Sequence, residues 1–510
     1  MNVVMIDGEH LTLEQAYAVA VDNVPVELSS DAVTKIVTAR DYVERLVEED
    51  AIVYGVTTGF GKFSHVKINH ADVLTLQENL IMSHQTGVGE PFPEDVVRAI
   101  MLLRINTLAK GYSGVRPCVI QTLIDMLNKR VHPLIPRKGS VGASGDLAPL
   151  AHLAGVLIGK GEAWYNGHRL PGADAMKRAG IQPVQLQAKE GLALINGTQV
   201  MTGLGVFIQL QAERLAKILD IAGAITLEAL KGTDTAFLEL THRVRPHRGQ
   251  SVSAKNFLKL HAQSEIIQSH KNCTKVQDAY SLRCMPQVHG ATKDVLRYVR
   301  SVLDIEINSA TDNPLIFPDE EKVISCGNFH GQPIAMALDF LAIGLAELAD
   351  ISERRIEHLV DPDVSGLPGF LVKEGGLNSG FMIAQVTAVS LVSENKILAH
   401  PASVDSIPTS ANQEDHVSMG TTAAVKAFEV LQNVQHVAAI ELLCGVQGLD
   451  FLQPLTPGLG VRTAYDIIRT SVPYLDRDRP LHLDIQRCLE LIINNTLLQA
   501  VEEAVGTLEI

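Results

Sequence analysis

The 510-residue chain has six cysteines, Cys118, Cys273, Cys284, Cys326, Cys444 and Cys488, and no two of them form a CxxC pair. That scatter argues against a disulfide framework or a zinc site and for a reducing compartment. Positive charge is also short: 43 Lys and Arg against 58 Asp and Glu leave a net charge of -15. No basic run exceeds a few residues, so neither nucleic acid nor an anionic membrane surface is expected as a partner. No uncharged apolar run reaches the ~20 residues of a membrane helix. The opening MNVVMIDGEHLTLEQ carries acids and no basic segment, unlike a secretory signal. The chain reads as cytoplasmic. A GxxxxGK[ST] loop is missing, which excludes a P-loop NTPase, and no HExxH or paired Cys/His spacing supports a metal, so none is expected. GASG at 142–145 is one residue short of the GxSxG nucleophile elbow. SENK at 393–396 matches SxxK, but SDN and KTG are missing, so Ser393 and Lys396 read as helix residues.

With 46% hydrophobic and 20% charged residues the composition is that of a globular protein. Helical periodicity dominates. Met201 to Lys231 is apolar on nearly every face, with Ala and Gly interspersed, as in a helix buried by neighbours all round. Asp339–Val360, Asp415–Leu443 and Leu481–Leu508 read as further helices. All exceed the usual ~12 residues, so the fold is expected to be mainly α, a long-helix bundle with a smaller N-terminal globular part. A division at residue 200 gives 1–200, with glycine-rich loops, and 201–510, the bundle. Strand signals are short, as in a hairpin at 161–170 around Asn166-Gly167.

Six polar stretches sit oddly in apolar frames. YGVTTGFGKF at 54–63 is a surface loop or a mobile lid carrying Tyr54. Ser83 and His84 end an apolar run, where a structural histidine is the plainer explanation. Asn196, in GLALINGTQ, suits a helix cap or turn. Gln277, Tyr280 and Arg283 are spaced by three; on a helix they share one face. Asn328 and Phe329 lie in a glycine-bounded turn. Glu414, Asp415 and His416 sit where a helix is expected to begin, where acids commonly cap.

KGSVGASGDLAPL, 138–150, packs Gly139, Gly142 and Gly145 around Ser144 before an acid and an apolar run. Side chains supply nucleophiles, acids and bases but no good electrophile. Such chemistry comes from a cofactor, a metal, or the backbone of a strained turn. In the last case the Gly145 amide nitrogen closes on the Ala143 carbonyl and two waters leave, giving a methylidene imidazolone whose methylene derives from Ser144.

GSVGASGDLAPLAHLAGVLIG at 139–159 resembles the signature of the aromatic amino acid ammonia-lyase family, which builds this group from Ala-Ser-Gly. YGVTTGFG, LALINGTQ, HKNCTKVQDAYSLRCMPQ, TDNPLIF, GNFHG, NSGFMIAQVTA and PTSANQEDHVSMG resemble further family blocks in family order. Within the family, Ser83-His84 at the selectivity position and Glu414, where aromatic-substrate members usually have Gln, resemble the histidine-specific branch. Neutral imidazole has one donor and one acceptor, which His84 and Glu414 serve and a Phe-Leu pair does not.

The resemblance implies an ammonia-lyase of the fumarase/aspartase-like bundle type, converting L-histidine to trans-urocanate and ammonia. Its implied prosthetic group is 4-methylidene-imidazol-5-one (MIO) from Ala143, Ser144 and Gly145, with no external cofactor or metal. Arg283 is implied as the carboxylate partner and Tyr54 as base, with Glu414 and Tyr280 as rival bases. Asn196, Gln277 and Phe329 position ring and substrate, with His84 at the imidazole. Whether the substrate's amine or its imidazole adds to the methylene stays open. A homotetramer with sites shared between chains is implied as well. The alternatives are a tyrosine or phenylalanine ammonia-lyase or aminomutase, a fumarase/aspartase-type lyase (faintly resembled by SLRCMPQVHG at 281–290), and a non-enzymatic scaffold.

Overall fold

The computed structural model describes residues 3–69, 72–271 and 275–510; Cys273 and the start of the NCTKVQDAY block lie outside them. Helix dominates, as the periodicity requires. The Met201 pattern is a helix over Gln199–Ala229, and the pattern at Asp339 starts earlier, spanning Gln332–Val360. The expected Asp415 start is corrected: that helix runs Gly420–Asp450, because Met419 adopts a φ of +54° that breaks it from the preceding acids. Leu481–Leu508 is two helices, Leu481–Ile493 and Thr496–Val505, separated at Asn495, whose φ of +64° suits asparagine's tolerance of the left-handed region. Glu162–Tyr165 and His168–Pro171 form the expected hairpin; Asn166 (φ 50°) and Gly167 (φ 76°) are both left-handed, as a type I′ turn demands.

Packing divides the chain into two units. The first holds residues up to Leu210, Arg300–Asp339 and Pro401–Val425; the second holds Gln211–Val299, Phe340–His400 and Lys426–Ile510.

The first unit is organised on the helix Glu94–Ala109. Glu94 and Asp95 place negative charge on its first turn, where the peptide dipoles favour it. From Val96 to Ala109 every side chain is buried, so neighbours must cover it all round. The helices Leu13–Val21, Ser30–Glu48 and Pro117–Asn128 do so. Its buried polar groups are used as caps. Arg98 donates to the Val19, Ala20 and Leu127 carbonyls at 2.7–3.1 Å, filling acceptors that two helix ends leave open. Beside it, the helices Val73–His84, Leu147–Leu157 and Glu190–Ile195 pack on one another. Each delivers a candidate site residue at one of its ends.

The second unit buries charge in its helical core. Glu441 accepts from Arg355 Nε (2.6 Å) and Nη2 (2.8 Å), from Thr226 Oγ1 and from Ser352 Oγ. Asp220 accepts from His289 Nδ1, Lys293 Nζ and Asn256 Nδ2 at 2.6–2.8 Å. His289 Nε2 then takes a bond from Arg355 Nη1 at 3.2 Å, joining both carboxylates in one network. Desolvation lowers the His289 pKa, with the bond to Asp220 opposing it, so the ring is neutral and donates from Nδ1.

Removing one partner of such a pair strands the other. Glu441→Ala is expected to cost about 3–5 kcal/mol of unfolding free energy, read as a lowered urea midpoint. Replacing Glu441 and Arg355 together with Leu and Met is expected to cost much less, because no charge is left unpaired.

Candidate active site

The Ala-Ser-Gly turn is held by its neighbours rather than by its own side chains. Gly142 and Gly145 adopt φ of +70° and +71°. A Cβ on Gly145 would sit 2.1 Å from the Gly197 carbonyl oxygen, and one on Gly142 would sit 2.2 Å from Ser418 Oγ. Only glycine fits at either place. Gly145 and Gly197 form a β-bridge, and the Met419 N–H donates to the Val141 carbonyl at 2.9 Å.

Asp146 locks this arrangement. It is fully buried at the start of the helix Leu147–Leu157. Its N–H donates to the Gly197 carbonyl at 2.7 Å. Oδ2 accepts from the Val200 and Met201 N–H groups at 2.9 and 3.0 Å, in the first turn of the helix Gln199–Ala229. Oδ1 accepts from Thr421 Oγ1 and, at 3.3 Å, from Ser140 Oγ. Burial pushes the carboxyl pKa up to about 6 against the pull of these bonds.

Ser144 lines a cavity of about 1020 Å³ together with Tyr54, His84, Asn196, Phe329 and Glu414. All these residues belong to the first unit. Ser144 Oγ donates to Glu414 Oε1 at 3.4 Å, and Glu414 Oε2 accepts from Thr409 Oγ1 at 2.6 Å. Glu414 lies upstream of its helix and is bridged to Thr409, so it is not a helix cap. The Tyr54 hydroxyl accepts from the Gly61 N–H at 3.3 Å. Burial raises the Tyr54 pKa; the Gly61 bond opposes this and the Glu414 charge adds to it. Desolvation lowers the His84 pKa against the bond to Leu80 and the Glu414 charge, and Nδ1 lies 3.0 Å from Ser83 Oγ. The base of the cavity is fixed by Asn196, which ends the helix Glu190–Ile195 and donates from Nδ2 to the Asn313 carbonyl at 3.1 Å. Asn196 Oδ1 is buried with no partner.

The lining, among the described residues, contains no Lys or Arg. Arg283 belongs instead to the second unit with Gln277 and Tyr280. The condition under which these three would share a helix face is not met: only Tyr280–Arg283 is helical. Residues 275–279 are non-helical, with Asp278 taking a bond from the Thr233 N–H (2.8 Å) and pairing with Lys275 Nζ (2.8 Å). Tyr280 is 72% exposed, and the Arg283 guanidinium lies over its ring at 4.5 Å. Among the described residues no three His, Cys, Asp or Glu side chains converge as a metal site.

Sequence motifs alone assign no role to Asp146, Asn313 or Thr409. Only Asp146 carried a usable signal, an acid directly between the Ala-Ser-Gly turn and an apolar helix.

A compact Ala-Ser-Gly turn facing a cavity with a carboxylate, a phenol and an imidazole, on a helical scaffold, defines a class. The aromatic amino acid lyase family model matches residues 11–470, and the chain belongs to that family. Curated relatives include the histidine ammonia-lyase of Alkaliphilus metalliredigens, 56% identical over 508 residues and covering 100% of each chain. The histidine ammonia-lyase of Gloeobacter violaceus is 58% identical, over 99% of this chain and 98% of its own. Among solved structures, the Trypanosoma cruzi histidine ammonia-lyase superposes with a TM-score of 0.92 at 43% identity, covering 100% of this chain and 98% of its own. The tyrosine aminomutase of Streptomyces globisporus gives a TM-score of 0.94 at 38% identity, covering 99% of this chain and 100% of its own.

Because the folded pKa of Asp146 lies above the ordinary carboxylate value of about 4, the native state holds a proton that the unfolded state releases. Its contribution to stability is therefore full below pH 4, falls as pH rises to about 6, and is flat above. The difference between the urea midpoints of the wild type and Asp146→Asn, measured across pH 4–7, is expected to show this slope.

Proposed function

We propose that the chain is a histidine ammonia-lyase, a carbon–nitrogen lyase that removes ammonia from L-histidine to give trans-urocanate. The observation that carries this is the Ser144 turn opening into a cavity with His84 and Glu414, in a chain more than half identical to histidine ammonia-lyases along its length. His84 and Glu414 offer polar partners to an imidazole, where an apolar ring would leave them unpaired.

The Ala143-Ser144-Gly145 segment fits conversion to MIO. Gly145 is already folded against Gly197 with no room for a side chain, and a β-bridge brings Ala143 and Gly145 together. When present, this group supplies the electrophile that activates a substrate whose β-hydrogen is otherwise barely acidic. The remaining work belongs to the side chains. His84, held neutral, takes one edge of the imidazole. Glu414 Oε1, beside Ser144, orients the polar end of the substrate or holds a proton. Asn196 and Phe329 fix the substrate's position, with Gln277 assisting.

Tyr54 is our candidate for taking the β-proton, with Glu414 and Tyr280 as rivals. A phenol raised by burial makes a strong base once ionised, and ionising it requires a nearby cation. Among the described residues, the lining of this cavity contributes no Lys or Arg. An α-amino acid's carboxylate needs a cation too, best met by a guanidinium. Both needs support a shared site in a homotetramer, where the exposed Tyr280–Arg283 cluster of a second chain reaches the cavity of the first. No described helix is long and apolar enough to cross a membrane, and we place the enzyme in the cytoplasm.

Ser144→Ala is expected to keep the helical circular dichroism but lose urocanate production by about 10³-fold or more. The wild-type chain is expected to lack the mass of two waters that the variant retains. Arg283→Met is expected to lower kcat/KM roughly 10- to 100-fold, the scale of one charge-assisted contact. Co-refolding Ser144→Ala with Arg283→Met chains is expected to restore part of the activity, since some mixed sites hold both residues intact. No recovery would mean that each site is built from a single chain.

A further inference from the structure

Arg104 is fully buried in the helix Glu94–Ala109 and is outside the cavity lining. Its Nη1 donates to the Asn196 carbonyl at 2.8 Å and to Gln199 Oε1 at 2.7 Å. Nε and Nη2 are buried with no partner. Burial draws its pKa down to about 10, with the Asp312 charge opposing, so it is still a cation at neutral pH. A buried guanidinium with two idle nitrogens does not improve stability. Its use lies in what it grips.

The two acceptors flank Gly197. Gln199 is itself anchored, since its Nε2 donates to Thr107 Oγ1 (3.0 Å) and Thr311 Oγ1 (2.6 Å). Gly197 is the wall against which Gly145 is pressed, through their β-bridge and the bond from the Asp146 N–H. The fit leaves no slack: a Cβ on Gly197 would lie 2.6 Å from Arg104 Nη1 and 2.5 Å from the Thr311 carbonyl oxygen.

We propose that Arg104 is a positioning residue for closure of the Ala143-Ser144-Gly145 ring. By holding the residues on both sides of Gly197, it keeps that backbone against Gly145 and the turn compact enough for the Gly145 nitrogen to reach the Ala143 carbonyl carbon. The inference rests on the prosthetic-group reading above. In the closure, the Gly145 N–Ala143 C bond forms and the Ala143 oxygen leaves as water with the amide hydrogens of Ser144 and Gly145. Ser144 then loses its Cα hydrogen and hydroxyl as a second water. The balance needs no oxidant or reductant. Arg104 touches none of these atoms and acts through Asn196, Gly197 and Gln199.

The test follows intact mass against time for newly synthesised wild-type, Arg104→Met and Arg104→Lys chains, with thermal melting of each. Arg104→Met removes an under-satisfied buried cation but strands the Asn196 carbonyl and Gln199 Oε1, so its melting temperature is expected to fall by several degrees with the fold retained. Loss of two waters is expected to be about 10-fold slower or more, the scale of losing a charged hydrogen bond. Arg104→Lys, which retains one cationic donor group, is expected to fall between. A merely structural arginine would change melting and leave the dehydration rate of folded chains untouched. Dehydration of Arg104→Met at the wild-type rate overturns the inference. Should that variant fail to fold, Arg104→Lys decides in the same way. A wild-type chain that keeps both waters overturns the prosthetic-group reading and the inference with it.

Discussion

The candidate site depends on one buried carboxylate. Asp146 ties the Ala-Ser-Gly turn to the first turn of the helix Gln199–Ala229, to Thr421 and to Ser140, while its own N–H holds Gly197. Two opposed effects meet on it. Burial disfavours the charge, and the free N–H groups of a helix N-terminus favour it. Those bonds fix the facing of Ser144, and hence its approach to Glu414, from two residues away. Gly142, Gly145 and Gly197 make the geometry possible by having no side chain; Asp146 makes it the one adopted.

Charge in the first unit is one-sided around the cavity. Glu414 contributes an anion, Tyr54 a phenol whose proton is held more tightly than usual, and His84 a ring whose protonation is suppressed. Two buried cations of that unit are engaged elsewhere, Arg98 on helix ends and Lys189 on Asp312. In the second unit, Arg355 and Lys293 are consumed by Glu441 and Asp220. Arg283, stacked on an exposed Tyr280, is differently placed: its guanidinium faces an aromatic ring and a backbone carbonyl rather than a carboxylate.

Much of this was legible in the sequence, for identifiable reasons. The long helices follow from sustained apolar periodicity, and the hairpin from Asn166-Gly167, because both are local. The Ala-Ser-Gly turn was visible through its glycines and its resemblance to a family signature. What escaped was set by distant partners. Arg104 hides inside the run RAIMLLRINTLAK, where nothing local says which acceptors it meets. Glu414 and Asp415 imitate first-turn acids, yet the turn at Met419 separates them from the helix. The spacing of Gln277, Tyr280 and Arg283 suits a helix, but the Asp278 carboxylate is engaged with Thr233 and Lys275 instead. The role of Asp146 was hidden as well, since its most distant donor lies 275 residues further along the chain.

That last separation has a consequence for synthesis. A ribosome adding about 5–20 residues per second takes roughly 14–55 s to travel from Asp146 to Thr421. For that interval the emerging chain already carries Ala143, Ser144 and Gly145, but the carboxylate that orders them is one bond short. Until Thr421 emerges, the turn that presents Ser144 is held by fewer bonds than in the finished fold.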